Sequence, residues 1–242
     1  MGIPLTYQIS TGTKFFLEQV EEEKDLGIWM HSSVKPNTQC EKAAKNANMA
    51  LGMILRAFHF RTKDTLIPLY KTFVRPKMEF SAAVWSPWTM KDEEILERVQ
   101  KRLVRSLSDC HGDSYEEKLK KAGLTTLKER RVRGDLIEAY KTLKGMNSVE
   151  KTEWFDIRTN ETTRPTRGNT VIVDGDEKMK IETLYKNQAA GEIRNNFFTV
   201  RVVRSWNELP EIVKGAKTVN GFKSAYDTWK SRENPTTVNT ET

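Results

Sequence analysis

The acidic residues of this chain come in short runs and one close pair, and none has the spacing of a reactive centre. A nucleotidyl transferase needs carboxylates that hold two metal ions on a strand turn. No Asp-Asp pair occurs here, and the nearest approach is Asp174-Gly175-Asp176. As the start of a calcium loop this fails, because Met179 and Tyr185 stand at the sixth and twelfth positions, where Gly and Glu belong. It reads as a turn. The acidic runs at 21–23, 92–94 and 116–117 fall at an exposed strand edge or around first helical turns, where they suit water or the helix dipole. Cys40 and Cys110 are lone cysteines, and His31, His59 and His111 are scattered. Neither a zinc site of ordinary ligand spacing nor a disulfide framework follows from them. The chain also lacks a Walker loop, a Gly-x-Ser-x-Gly elbow and a His-Glu-x-x-His stretch. The reading is a chain with no catalytic set and no metal or cofactor site of its own.

Binding chemistry is better represented. The formal net charge is +7, and it is uneven: residues 41–150 hold 22 basic against 15 acidic side chains, while residues 1–40 are net acidic. A basic helical segment is a footprint for a polyanion, and equally for a solvated Lys-rich surface. Arg98, Lys101, Arg102 and Arg105 recur at i, i+3, i+4 and i+7, so one helix face presents all four. Long cationic side chains on one rigid face are what phosphate contacts require. Arg130, Arg131 and Arg133 crowd the first half of a later helix, where positive charge is mildly unfavourable to the helix itself. Trp85, Trp88 and Tyr70 are candidates either for stacking on bases or for the core.

The elements that must position these side chains are mostly helices. Residues 5–30 read as short strands forming a small antiparallel hairpin or three-stranded patch. Thr38-Gln39-Cys40-Glu41 has the pattern of a capping box opening a helix to about residue 58. A second helix is expected over about 63–77, kinked or ended by Pro76, and a third over about 91–107. Ser114-Tyr115-Glu116-Glu117 and Thr126-Leu127-Lys128-Glu129 are further capping boxes, with Gly123 and Gly145 as helix stops. Later come a strand at 171–173 and helices at about 199–209 and 221–230. The division is therefore 1–34 as a hairpin, 35–145 as a helical domain, 146–230 as a smaller C-terminal α/β segment, and 231–242 as a disordered tail. No apolar run approaches the ~18–20 residues of a membrane span, and the N-terminus lacks a signal-peptide pattern. With lone cysteines, an intracellular setting, nucleus or cytoplasm, is expected.

Taken in order, the motifs resemble a known family. Glu23-Lys24-Asp25-Leu26-Gly27-Ile28 is similar to a segment that follows the catalytic box in reverse transcriptases of jockey-like non-LTR retrotransposons, the LINE class of transposable element. The resemblance continues through Lys35-Pro36, Gln39-Cys40, Ala44-Lys45-x-Ala47-Asn48 and Leu51-Gly52-x-Ile54-x-Arg56. It runs on in Leu69-Tyr70-Lys71-Thr72-x-Val74-Arg75-Pro76, Glu79-Phe80 and Trp85-Ser86-Pro87, then Leu96-Glu97-x-Val99-Gln100-Lys101-Arg102 and Leu124-Thr125-Thr126-Leu127-x-Glu129-Arg130-Arg131. Phe198-x-x-Arg201-Val202-Val203-x-x-Trp206-Asn207-x-Leu209-Pro210 and Phe222-Lys223 close it. The ordered series spans about residues 5–230.

The resemblance implies the C-terminal part of a right-hand RNA-directed DNA polymerase. Leu26 and Gly27 would lie in the primer-grip region at the palm edge, with a thumb-like helical bundle after them. Arg75, Arg98, Lys101, Arg102, Arg105, Arg130 and Arg131 become candidate contacts to the backbone of an RNA/DNA duplex. The fingers, the palm strands with the Tyr-Ala-Asp-Asp box that binds magnesium, and the endonuclease of such proteins would all lie before Met1. The chain is thus expected to be a fragment without enzyme activity of its own. Its 5–30 hairpin would then be a palm remnant whose apolar face has lost its partner strands. Two other readings stay open: a protein-interaction module docking through that remnant or through an exposed Trp85–Trp88 segment, and a non-functional relic of a degenerate element.

Overall fold

The structure is a computed structural model that describes residues 6–8, 14–16, 19–108, 112–158, 183–185 and 191–233. It is mainly helical, with a small N-terminal β-hairpin region, as the periodicity requires. β1 (Thr6–Gln8) pairs antiparallel with β2 (Lys14–Phe16), and β3 (Glu22–Asp25) with β4 (Ile28–His31). The sequence reading placed the acidic run at an exposed strand edge ahead of an apolar run starting at Leu26. The run is itself a strand, because every side chain of β3 is exposed and its charges stay in water. Leu26 and Gly27 form the two-residue turn, both at positive φ (45° and 90°). That is the turn whose twist suits a tight hairpin.

The hairpin docks on α1 (Asn37–Ala57). Ile28 is buried in the first core, and the side-chain carbonyl of Gln39 accepts from the backbone N–H of Trp29 at 2.9 Å. Thr38 does not cap α1. Its hydroxyl donates to Glu22 of β3 at 2.8 Å, and the helix begins one residue earlier without a side-chain cap. A tertiary partner has outcompeted the local capping box. The small face of α1 (Ala43, Ala47, Ala50) lets α5 (Met90–Arg105) approach closely, and Leu96, Val99 and Leu103 complete that core.

Between these two helices the expected second helix is interrupted. α2 (Lys63–Leu69) passes into a wide π-type turn at Tyr70–Val74, where Arg75 N–H bonds the carbonyl of Tyr70, and then into α3 (Arg75–Glu79). Pro76 has no N–H to give to residue 72, and its ring crowds that carbonyl, so the chain widens one turn ahead of it. α4 (Ala82–Trp85) follows. The tryptophan segment after it corrects the expectation of an exposed docking strip. Trp85 is 4% exposed, Ser86 and Pro87 are buried, and Trp85 Nε1 donates to the Phe80 carbonyl at 2.8 Å.

α6 (Tyr115–Ala122) and α7 (Leu127–Leu143) start at the two capping boxes read from the sequence, and Gly123 ends α6 at φ 60°. α8 (Lys151–Trp154), β5 (Asp156–Arg158) and β6 (Thr183–Tyr185), which pairs antiparallel with β5, come next. The chain ends with α9 (Glu192–Asn195), α10 (Phe198–Asn207), α11 (Glu211–Lys214) and α12 (Val219–Glu233). The expected strand at 171–173 and the turn at Asp174-Gly175-Asp176 lie outside the described residues. So does most of the expected tail, although Ser231 to Glu233 are the end of α12.

Two apolar cores result. The first joins β4 and α1 through α6 and closes on Leu127. The second begins at Leu136 and gathers Tyr140, Phe198, Trp206, Val213 and Phe222, with Tyr140 stacked on Phe222 at 4.5 Å. α7 serves both, so the cores divide within this helix and not after residue 145. Among the described residues, no helix is long and apolar enough to cross a membrane.

Candidate nucleic-acid interface

The cationic stripe of α5 is assembled as the spacing demands, but three of its four side chains engage protein groups. Glu94 sits one turn before Arg98 and two before Lys101. Lys101 bonds both of its oxygens, at 2.9 and 3.1 Å, and Arg98 lies 3.7 Å away. The Lys101 bonds, ahead of the other influences, hold the Glu94 carboxyl below its ordinary range. Arg102 reaches across to α1 and donates to the Asn48 side chain at 3.2 Å. Arg105 is exposed and has no ion pair among the described residues. Arg98, Arg102 and Arg105 are all exposed, and Lys101 is the one member of the four that is partly buried.

The other predicted cations are brought together around α3 and α7. Glu79 receives a bidentate grip from Arg130, and Arg75 lies 3.7 Å from the same carboxylate. Arg130 thus pins α7 to α3, while Arg75 shares the Glu79 carboxylate from within α3. Arg131 is only 6% exposed, which corrects its place among the surface contacts. Burial, ahead of the attraction of nearby acids, pulls its basicity below the ordinary arginine value. Leu26, by contrast, is 88% exposed at the hairpin tip, and a Cβ placed on Gly27 would sit 3.2 Å from the ring of Phe80. The hairpin turn therefore lies close to the segment that leads into α4.

Sequence reasoning missed an open groove of about 960 Å³ along α7, which gathers Arg130 and Arg131 with four further cations and leaves out Arg75 and the α5 stripe. Arg130, Gly134, Ile137 and Lys141 fall at helical spacing on its floor. α4 forms one side, and the start of α10 with Arg194, Phe197 and Phe198 forms another. Trp154 and Lys223 add to its rim. Its lining carries six basic and three acidic side chains. The acids are already partnered: Glu79 with Arg130, Glu138 with Lys141 at 3.1 Å, and Asp135 with Arg201 at 2.9 Å. Arg133 holds Asp227 by two bonds of 2.7 Å, which raise its basicity. Arg194 and Lys223 have no ion pair among the described residues, and the Arg194 guanidinium lies 5.4 Å from the Phe197 ring centroid. Trp154 and Phe197 are exposed at the rim. Asn147 also lines the groove, and its buried Oδ1 has no partner among the described residues. The groove draws on residues from 79 to 223, so only a positive charge on α12 beside an aromatic-rich 154–198 stretch hinted at it.

Arg201 holds this arrangement together. Its guanidinium bonds both oxygens of Asp135 on α7 at 2.9 Å, the carbonyl of Ala83 in α4 at 2.7 Å and that of Asn196 at 2.9 Å. Desolvation, ahead of the opposing pull of Arg201, raises the Asp135 carboxyl.

The arrangement has donors, planar rings and net positive charge, and it has no nucleophile–base pair. Among the described residues no group of three or more His, Cys, Asp or Glu is placed to hold a metal ion. Comparison with protein-family models, with curated proteins and with solved structures returns no match for this chain.

Proposed function

We propose that the chain binds nucleic acid by its backbone, without base specificity, as the thumb-like and C-terminal portion of a LINE-type RNA-directed DNA polymerase whose catalytic carboxylates are not in this chain. The groove along α7 carries this reading. Its lining is net cationic, its carboxylates are neutralised by neighbours, and its rim offers aromatic faces on which bases stack. The motif series from Glu23 to Lys223 supports the family assignment, and the hairpin followed by a helical bundle is the layout that assignment expects. The exposed Leu26–Gly27 turn is the primer-grip element in this proposal. Magnesium belongs to the absent catalytic portion.

The test is a salt titration of binding to a single strand and to an RNA–DNA duplex. With three phosphates held and ~0.7 counterion released per phosphate on a single strand, affinity falls roughly twentyfold between about 50 and about 200 mM salt. The double variant Arg194→Ala/Lys223→Ala flattens the salt slope and weakens all sequences alike. Affinity that ignores salt would refute a phosphate-driven mode.

A further inference from the structure

Arg131 and Asp135 line not only the groove but also a separate cavity of about 260 Å³, walled by Trp88, Glu93, Lys128, Arg201 and Ser205. That is just below the ~300–1,000 Å³ of ordinary small-ligand sites. Its charges are unequal in their satisfaction. Glu93 is paired with Lys128 at 3.1 Å, and Asp135 holds Arg201 by two bonds of 2.9 Å. These pairs cancel. Arg131 is left over: it is buried, it pairs with no described carboxylate, and its Nη2 has no hydrogen-bond partner among the described residues.

Glu97, the other acid near Arg131, is not in the cavity wall. Its carboxylate already accepts from the Tyr115 hydroxyl, from Gln100 and from the Leu127 backbone N–H. A guanidinium cannot shed its proton to relieve the situation, and a buried donor without an acceptor is costly. The remaining wall joins the apolar Pro87, Trp88, Val132 and Val202 to the polar Ser86, Asn196 and Ser205.

We propose that this cavity is a binding site for a small organic oxyanion, one negative charge on an apolar or planar body, with the Arg131 guanidinium as its cationic partner. The wall holds three basic and two acidic side chains, and this excess of one favours a monoanion. A carboxylate and a phosphate diester share that chemistry. The site stands apart from nucleic-acid binding in the groove and holds whether or not that occurs.

Titration of the full chain with benzoate and, in a second arm, with dimethyl phosphate separates the two sources. Benzamide, the neutral counterpart of benzoate, is the control. At least one of the two anions should bind, and benzamide should bind at least tenfold more weakly than benzoate if the source is a carboxylate. Arg131→Gln keeps the shape and removes the charge, and it should weaken the anion tenfold or more. Ser205→Asp, at a half-buried wall position, adds an opposing charge and should do the same. It decides the matter if Arg131→Gln fails to fold. The proposal is overturned if neither anion binds, if the anion that binds is matched by benzamide, or if a folded Arg131→Gln or Ser205→Asp chain binds as the wild type does.

Discussion

Leu26 has a backbone that its side chain does not favour. A leucine at φ 45° carries a left-handed cost of about 1 kcal/mol, and at 88% exposure it recovers almost nothing by burial. Asn suits the first position of such a turn far better. Leu26→Asn is therefore expected to stabilise the chain by about 0.5–1 kcal/mol, read as a higher denaturant midpoint. If nucleic-acid affinity falls in the same variant, the strain has been retained for contact and not for folding. Cys40 offers a second test. Burial, ahead of the Asp92 charge, pushes its thiol up to about 12 from an unfolded 9.0. A raised pKa stabilises fully below pH 9, and the contribution is lost as pH climbs from there toward 12. In a Cys110→Ser background, the wild-type Cys40 chain should lose up to about 1.4 kcal/mol per pH unit more than Cys40→Ala above pH 9. Tyr70 and Tyr115 are raised by burial too, but they tilt both chains equally. Equal slopes would show that Cys40 is not sealed.

At the scale of elements, α5 is less a binding face than a strut. Its Gln100 is wholly buried and accepts from the Tyr70 hydroxyl at 2.8 Å while donating to the Thr125 carbonyl at 3.0 Å. Beside it, Glu97 caps the start of α7 through Leu127 N–H at 3.0 Å. The π-type turn, α5, α6 and α7 are thus tied by one polar network. Gln100→Leu leaves the Tyr70 hydroxyl and the Thr125 carbonyl without partners and is expected to cost about 2–3 kcal/mol, measured by chemical denaturation. A cost below half of that would mean water replaces the amide. Several motif residues behind the family resemblance, Glu79, Glu97, Gln100 and Arg130 among them, hold elements together.

For the whole molecule the decisive joint is Arg201. It bonds α7, α4 and the segment leading into α10 at once, with side chains 16% and 10% exposed for Arg201 and Asp135. Breaking it leaves a buried carboxylate and two carbonyls unpaired, and Arg201→Ala should cost about 3–5 kcal/mol. Arg201→Lys keeps the charge but not the fork and should recover only part of this. The two cores share α7, so thermal unfolding of the wild type should be one transition. A split into two transitions in Arg201→Ala, followed by calorimetry, is the further expectation. The groove lies along this joint, so its shape depends on the same residues.

Helices α5, α6 and α7 were legible in the sequence because their signals are local. Apolar positions recur at helical spacing, Ser114 and Thr126 meet Glu residues three positions on, and Gly123 and Gly145 adopt the left-handed stops that only glycine takes cheaply. The basic excess and the absence of an Asp-Asp pair were equally plain. Contact alone decided the rest. Thr38 left its cap for Glu22, Trp85 and Arg131 went inside, and Glu94 and Asn48 drew in half of the α5 stripe. The groove exists only because residues more than a hundred positions apart meet across α7. Periodicity records which side chains share a face of one element. Which face ends up against which neighbour is set by the packing of all elements together, and that is where charge became structure or surface.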